Sequence, residues 1–148
     1  MTTEDRNQHF FDVINPELSR LAGRICEASA IDDRVVEQSR YKDLLTFYEE
    51  QVAEGFWHPS LTESLADFTA SRDAQASLHY YRLALEQARE LESDSYTILI
   101  AMAEALFEAG HREQAEACLR DGRAAALQQE DYKYVQEADN ILRDASAS

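Results

Sequence analysis

Apolar residues recur at helical spacing along nearly the whole chain, and no segment shows the sustained alternation of a β-strand. The stretch from Leu18 to Cys26 carries apolar residues at positions i, i+3, i+4, i+7 and i+8, which form one stripe of an amphipathic helix. Similar stripes follow in the later segments, separated by short turns. We therefore predict an all-α protein of seven or eight helices, in which short connections make neighbouring helices antiparallel.

Turn and capping residues divide the first third of the chain. Asn15–Pro16 predicts a helix start after a short helix from about Glu4 to Ile14, because Asn caps first-turn amides and Pro fits the first helical position. Asp32 or Asp33 then caps a longer helix that Gly55 ends. The apolar positions predicted to face inward on this helix are Val36, Tyr41, Leu44, Leu45, Tyr48 and Val52.

Further signals divide the rest of the chain. Ser60 followed by Glu63 matches a capping box, in which the Ser side chain bonds a first-turn amide and the Glu reaches back to the Ser amide. Ser93–Asp94 predicts another helix start, and Gly110 predicts the end of that helix. Asp131 predicts the cap of the last helix.

A spaced set of small and apolar residues marks an internal repeat. It comprises Leu99, Met102, Ala103, Leu106, Gly110, Ala115, Leu119 and Gly122. Small residues where two helices cross let the backbones approach, and the spacing resembles a tetratricopeptide repeat. A weaker unit precedes it, with Leu61, Leu65, Phe68, Ser77, Tyr81 and Ala84. Tyr134, Ala138 and Ile141 resemble a lone first helix, which commonly caps such a stack.

The resemblance covers about residues 58–142 and implies a single domain over 1–148. N-terminal helices (1–57) would precede two tetratricopeptide-like helix pairs (58–130) and a capping helix (131–145). The fold implied is an antiparallel helix-hairpin stack wound as a right-handed superhelix, in which the first helix of each pair lines the concave face.

The inner positions of that face can be mapped onto this chain. On the best-matching repeat they are Thr97, Ile100, Glu104, Phe107 and Glu108; on the preceding unit they are Thr62, Ala66 and Thr69; and on the last helix they are Tyr132, Val135 and Asp139. The predicted groove is lined by aromatic and acidic residues at one end and by small, neutral residues in the middle. By resemblance it would accept a peptide or protein surface of basic and apolar character. The alternative is that Ile100 and Phe107 are core residues and the acids only solvate the face.

Trp57 is a second candidate contact for a partner. It lies in the break Gly55–Pro59 beside Phe56, where an exposed Trp would anchor a protein partner. Packing of both rings into the core beneath the turn is the alternative.

Charge narrows the choice of partner. The chain has 29 Asp and Glu against 14 Lys and Arg, a formal charge of −15. Such a charge repels nucleic-acid phosphates and anionic membranes, so neither is expected as a partner.

No apolar run is long enough to span a membrane, and no signal peptide is recognisable. Cys26 and Cys118 do not form a disulfide framework, which favours a cytoplasmic location. Twelve arginines against two lysines favour a bacterial, GC-rich source.

Motifs for catalysis and for cofactor binding are lacking in the sequence. There is no glycine-rich phosphate loop and no GxSxG, HExxH or CxxC pattern, and the four histidines do not cluster. His111 with Glu113 and Glu116 could hold a metal, but a solvated helix start explains these residues more simply. We therefore expect no enzyme, no cofactor and no metal.

These features together indicate a module that acts by protein–protein contact. The leading hypothesis is an acidic immunity-type inhibitor that neutralises a basic bacterial toxin, since opposite charge steers such encounters. The alternatives are a tetratricopeptide-like chaperone for a secreted protein, and a scaffold, adaptor or homodimer that uses the N-terminal helices.

Overall fold

The computed structural model describes residues 1–147, which form helices joined by short turns and contain no strand. The elements are α1 (Thr3–His9), a π-helical segment (Phe10–Ile14), α2 (Asn15–Ala30), α3 (Arg34–Ala53), α4 (Pro59–Thr69), α5 (Ala74–Glu90), α6 (Tyr96–Glu108), α7 (Arg112–Gln128) and α8 (Tyr132–Ala147). The predicted all-α class and helix number are confirmed.

The first two helices form one continuous rod through the π-helical segment: α2 begins at Asn15 as predicted, but Asn15 does not cap a free helix start. The π-helical segment links α1 to α2 without a turn, and the Asn15 amide bonds the Phe10 carbonyl five residues back. Pro16 lacks the amide proton that an α-helix interior requires, and its ring would crowd the carbonyl four residues back. The wider π turn gives this ring room, so the chain continues as a helix.

The remaining helices form hairpins that stack in chain order. The pairs α2–α3, α4–α5 and α6–α7 pack along each other, and α8 packs against α7 and α6. Gly55 and Gly110 close two of the turns with φ of +84° and +85°, a backbone conformation in which a Cβ is strained. The predicted ends of α3 and α6 at these glycines are therefore confirmed.

The hydrophobic core is a series of three clusters along the stack. The first joins the N-terminal rod, α3 and α4; the second joins α4 to α7; and the third joins α6, α7 and α8. Such a core is typical of repeat proteins, in which each hairpin buries its apolar face on its neighbours. Two residues of α3 that were predicted to face inward are substantially exposed instead: Val36 at 37% and Val52 at 49%.

Small residues allow close contact between α6 and α7. Ala103 and Ala115 are completely buried. Gly122 lies so close to α6 that an added Cβ would be 2.9 Å from Cγ1 of Ile100 and 3.3 Å from the carbonyl oxygen of Tyr96. The small-residue spacing noticed in the sequence therefore sets the distance between these two helices.

Two predicted helix starts need correction. The N-cap of α4 is His58, whose Nδ1 accepts a 3.1 Å hydrogen bond from the Ser60 amide, and Pro59 occupies the first helical position. Ser60 is thus already inside the helix, and Glu63 makes no capping bond. Helix α6 begins at Tyr96, later than Ser93–Asp94 predicts.

Candidate functional site

A cavity of about 320 Å³ opens between α4, α6 and α8, with Tyr81 of α5 at its wall. We call it the central cavity. Its lining residues are Glu63, Asp67, Ala70, Tyr81, Thr97, Ala101, Glu104, Tyr134, Glu137 and Ile141. Helices α4 and α6 are the first helices of two successive hairpins, and α8 is the lone helix after them. The central cavity therefore lies on one face of the stack.

Four carboxylates from three helices share this cavity. Glu63 and Asp67 lie one turn apart on α4, Glu104 comes from α6, and Glu137 comes from α8. No Lys or Arg of residues 1–147 is among the lining residues. The cavity is therefore a strongly negative concave surface, in which low-dielectric walls concentrate the field.

Two of these carboxylates are held by hydroxyl groups. The Tyr81 hydroxyl donates a 2.5 Å hydrogen bond to Oδ1 of Asp67. The Thr97 hydroxyl donates to Oε1 of Glu63 at 3.3 Å, which links α6 to α4 across the cavity. These bonds orient the carboxylates but leave their charges without a cationic neighbour in the cavity lining.

Burial, and to a smaller extent the nearness of like charges, favours the protonated carboxyl groups. Desolvation and the nearby Asp67 raise the pKa of Glu63 from 4.5 to about 7, although the Thr97 hydrogen bond opposes the shift. Desolvation, together with the charge of Glu137, also raises the pKa of Asp67. For Glu104, desolvation and then Glu108 are the main causes of a raised pKa. A cation entering the cavity would relieve this repulsion.

The central cavity shares lining residues with two neighbouring hollows. Toward the C-terminus a hollow of about 460 Å³ shares Glu104 and Ile141, and adds Phe107, Glu108 and Asp144 to the lining. Toward the N-terminus a hollow of about 310 Å³ shares Glu63 and Thr97; its other lining residues include Phe11, His58, Pro59 and Ile98. We call the three together the groove.

Of the inner positions predicted on α6, four lie in the groove and one does not. Thr97 and Glu104 line the central cavity, and Phe107 and Glu108 line the C-terminal hollow. Ile100 is only 1% exposed and packs between α6 and α7. Its neighbour Ala101 takes the predicted place in the cavity.

The positions predicted on α4 are shifted by one residue. Thr62, Ala66 and Thr69 are buried: the Thr62 hydroxyl donates to Oε1 of Gln87 at 2.7 Å, and the Thr69 hydroxyl bonds that of Tyr41 at 2.8 Å. The residues that follow them, Glu63, Asp67 and Ala70, line the cavity instead. The middle of the groove is therefore acidic, and the prediction of a small, neutral middle is wrong.

The positions predicted on α8 face other surroundings. Tyr132 is 62% exposed and does not line the groove. Asp139 binds Arg123 of α7 at 2.7 Å, and Val135 is buried in the third core cluster. Tyr134 and Glu137, which the sequence analysis missed, are the α8 residues in the central cavity. Tyr134, Glu137 and Ile141 follow one another at intervals of about one helical turn, so they lie on the same face of α8. This spacing is the signal in the sequence that could have identified them.

Trp57 does not line the groove and is half-buried under Arg6. The guanidinium carbon is 3.9 Å from the Trp57 ring centroid, and Nη1 donates a 2.7 Å hydrogen bond to the Trp57 carbonyl oxygen. Phe56 is buried, and His58 is bonded to Oδ1 of Asn7 at 2.8 Å. Burial and the nearby Arg6 lower the pKa of His58 to about 4, so this ring stays neutral at physiological pH.

The structure also bears on metal binding, on the reactivity of Cys118 and on membrane-spanning helices. Among residues 1–147 no group of His, Cys, Asp and Glu has a metal-binding arrangement. Burial raises the pKa of the Cys118 thiol, which disfavours the reactive thiolate. No helix over the described residues is both long and apolar enough to cross a membrane.

Comparison with known proteins agrees with the arrangement of the hairpins. Residues 69–138, from the end of α4 into α8, match the family model described as tetratricopeptide repeat. No curated protein and no solved structure matches the chain. The matched segment is thus tetratricopeptide-like, and its helices α6 and α8 supply much of the groove.

Proposed function

We propose that this tetratricopeptide-like chain is a protein-binding module whose groove receives a positively charged segment of its partner. The observation that carries the proposal is the convergence of Glu63, Asp67, Glu104 and Glu137 on a cavity that no Lys or Arg of residues 1–147 lines. Tetratricopeptide repeats generally bind proteins, and a concave surface of one charge selects partners of the opposite charge.

The electrostatics of the cavity supply a driving force for binding. The free protein holds several carboxyl groups with raised pKa values in one cavity, so part of their charge is suppressed near neutral pH. A cationic side chain favours the ionised forms, and its binding then releases protons. The expected signature is binding that weakens at lower pH and at higher salt.

As the specific role, we propose an immunity-type inhibitor of a bacterial toxin that acts on nucleic acid. Enzymes of this kind present basic surfaces to phosphate, and the groove carboxylates can occupy such a surface in place of phosphate. The formal charge of −15 would speed the encounter with a basic toxin in the cytoplasm.

A chaperone for a secreted protein is the second candidate, and the shape of the groove favours it. Three hollows that share lining residues follow one another from Phe11 at one end to Asp144 at the other, which suits an extended segment more than a folded surface. A scaffold or adaptor would use the same groove but would bind its partner with lower affinity than an inhibitor requires.

The test is capture of a partner from the native lysate by the purified protein, with elution by a salt gradient and identification by mass. Two variants serve as baits beside the wild type. The groove variant combines E63Q, D67N, E104Q and E137Q, and the control variant combines E27Q, E86Q, E90Q and E113Q on exposed positions outside the groove. Both lower the formal charge from −15 to −11.

The proposal expects a basic protein on the wild-type and control baits and none on the groove variant. Equal capture by all three baits, or capture of acidic proteins only, contradicts it. A folded partner whose nuclease-type activity is lost in a one-to-one complex supports the inhibitor. A partner that is unfolded in the complex, as judged by hydrogen exchange, supports the chaperone.

A further inference from the structure

The chain holds its own arginines in a recurring way, with the guanidinium over an aromatic ring and an oxygen acceptor beside it. Arg6 lies 3.9 Å from the Trp57 ring centroid and donates to the Trp57 carbonyl oxygen. Arg72 lies 4.5 Å from the Tyr41 centroid, and its Nη2 is 3.0 Å from Oε1 of Glu37. The ring attracts the cation through its quadrupole, and the oxygen fixes the plane of the guanidinium.

The C-terminal hollow of the groove contains a third case. Arg112 lies 5.8 Å from the Phe107 centroid and pairs with Glu116 at 2.9 Å. Both Phe107 and Arg112 line this hollow. At 5.8 Å this contact lies near the outer limit of a cation–π interaction, so it is looser than the contacts of Arg6 and Arg72.

The central cavity offers the same two elements, a ring and carboxylates. Tyr134, whose ring packs edge to face with Tyr96 at 5.7 Å, is one of the lining residues, together with Glu63, Asp67 and Glu137. Desolvation and then the charges of Glu137 and Glu63 raise the pKa of Tyr134. Lys133 is exposed, does not line the cavity, and reaches the Tyr134 centroid only at 5.9 Å, the outer limit of a cation–π contact.

We infer that the central cavity selects arginine over lysine in the partner segment, with the guanidinium over the Tyr134 ring and its N–H groups directed to Asp67 and Glu137. This inference rests on the proposed function and names the side chain that the groove recognises. Guanidinium is planar, weakly hydrated and able to donate to two carboxylates at once, whereas ammonium is a strongly hydrated point charge. Charge alone would treat the two residues alike.

The test uses three synthetic peptides of twelve residues that differ only at three positions in a Gly/Ser/Ala background. These positions are arginine, lysine or uncharged citrulline, and affinities are measured by calorimetry with the full chain at fixed salt and pH 7.5. We expect the arginine peptide to bind about tenfold more tightly than the lysine peptide, because only guanidinium can lie flat on the ring and donate to two carboxylates at once. The citrulline peptide should not bind measurably.

Variants at Tyr134 separate ring recognition from general attraction. Y134F keeps the ring and should keep the tenfold preference, whereas Y134L keeps much of the volume and should abolish it. Y132A serves as the matched control, because Tyr132 is on the same helix but outside the groove, and it should change nothing. A preference that survives Y134L would overturn the inference.

The outcomes also distinguish this inference from the proposed function. Equal affinities for the arginine and lysine peptides, both lost in the groove variant, would refute arginine selection and leave basic recognition in place. Failure of both charged peptides to bind would contradict both. Binding that persists in the groove variant would assign the peptides to another surface and contradict both as well.

Discussion

Replacement of Glu63 by Gln should stabilise the free protein at pH 8 and have little effect at pH 5. The change keeps the size of the side chain and the carbonyl oxygen that accepts the Thr97 hydrogen bond, but removes the titratable group. Glu63 ionises with a pKa of about 7 in the folded protein and near 4.5 when it is unperturbed. The folded state therefore binds more protons than the unfolded state between these values, so stability falls as pH rises through them.

The magnitude follows from the same shift. Raising a pKa from 4.5 to about 7 removes at most about 3 kcal/mol of stability by pH 8, but under about 1 kcal/mol at pH 5. The repulsion between Glu63 and Asp67 contributes part of the pKa shift of Glu63, so the gain assigned to Glu63 alone is an upper value. We expect the E63Q variant to gain roughly 1–3 kcal/mol over the wild type at pH 8.

Urea unfolding followed by circular dichroism at the two pH values measures this difference. The contribution of His58, which destabilises the fold as pH falls from about 6.5 toward 4, is common to both proteins and cancels. The control is E86Q on an exposed position of α5, which should show no pH-dependent gain. If E63Q changes stability by the same amount at pH 5 and pH 8, the electrostatic account of the cavity is refuted.

Three further substitutions test the packing and the turns by thermal or urea unfolding. G122A should destabilise by about 1–3 kcal/mol, because the added Cβ would be 2.9 Å from Cγ1 of Ile100; a neutral or stabilising result would show that α6 and α7 can separate at little cost. T62V should cost about 1–3 kcal/mol by leaving the buried Gln87 carbonyl without its hydroxyl donor, whereas T62S should retain most of the stability. E92G should stabilise by up to about 1 kcal/mol, since Glu92 has φ of +54° after α5; loss of stability would contradict the assigned strain.

The hairpins and the core were predictable because each depends on local spacing. Ala103 and Ala115 stand out as small residues in apolar stripes, and both are completely buried. Asp33 precedes α3 and caps it through its side chain, and Gly110 ends α6 with a positive φ. These features follow from the residue itself and its neighbours within one turn.

The exact residues that face the groove could not be predicted from the sequence, because they depend on how the hairpins pack on each other. One residue rotates a helix position by about 100°, so a shift of one exchanges a buried residue for one that faces the cavity. Thr62 and Glu63 illustrate this: the first is buried against Gln87 and the second lines the cavity. The acidic middle of the groove was missed for this reason.

Glu63 was also wrongly predicted to be a capping residue, because the capping-box spacing conflicts with the stronger preference of Pro59 for the first helical position. The Ser60–Glu63 spacing matches a capping box, but Pro59 requires the first helical position and moves the cap to His58. Glu63 is then one turn inside the helix, where its side chain reaches Thr97 of α6. Only the tertiary arrangement gives it that partner.

The most direct test of the central claim is the affinity of the captured partner for the groove and control variants. Both variants carry the formal charge of −11, so general attraction is matched and only the location of the lost carboxylates differs. The account predicts that the control binds within about threefold of the wild type, while the groove variant binds at least about a hundredfold more weakly, the effect of losing about 3 kcal/mol. Equal weakening of both variants would show that overall charge, and not the groove, holds the partner.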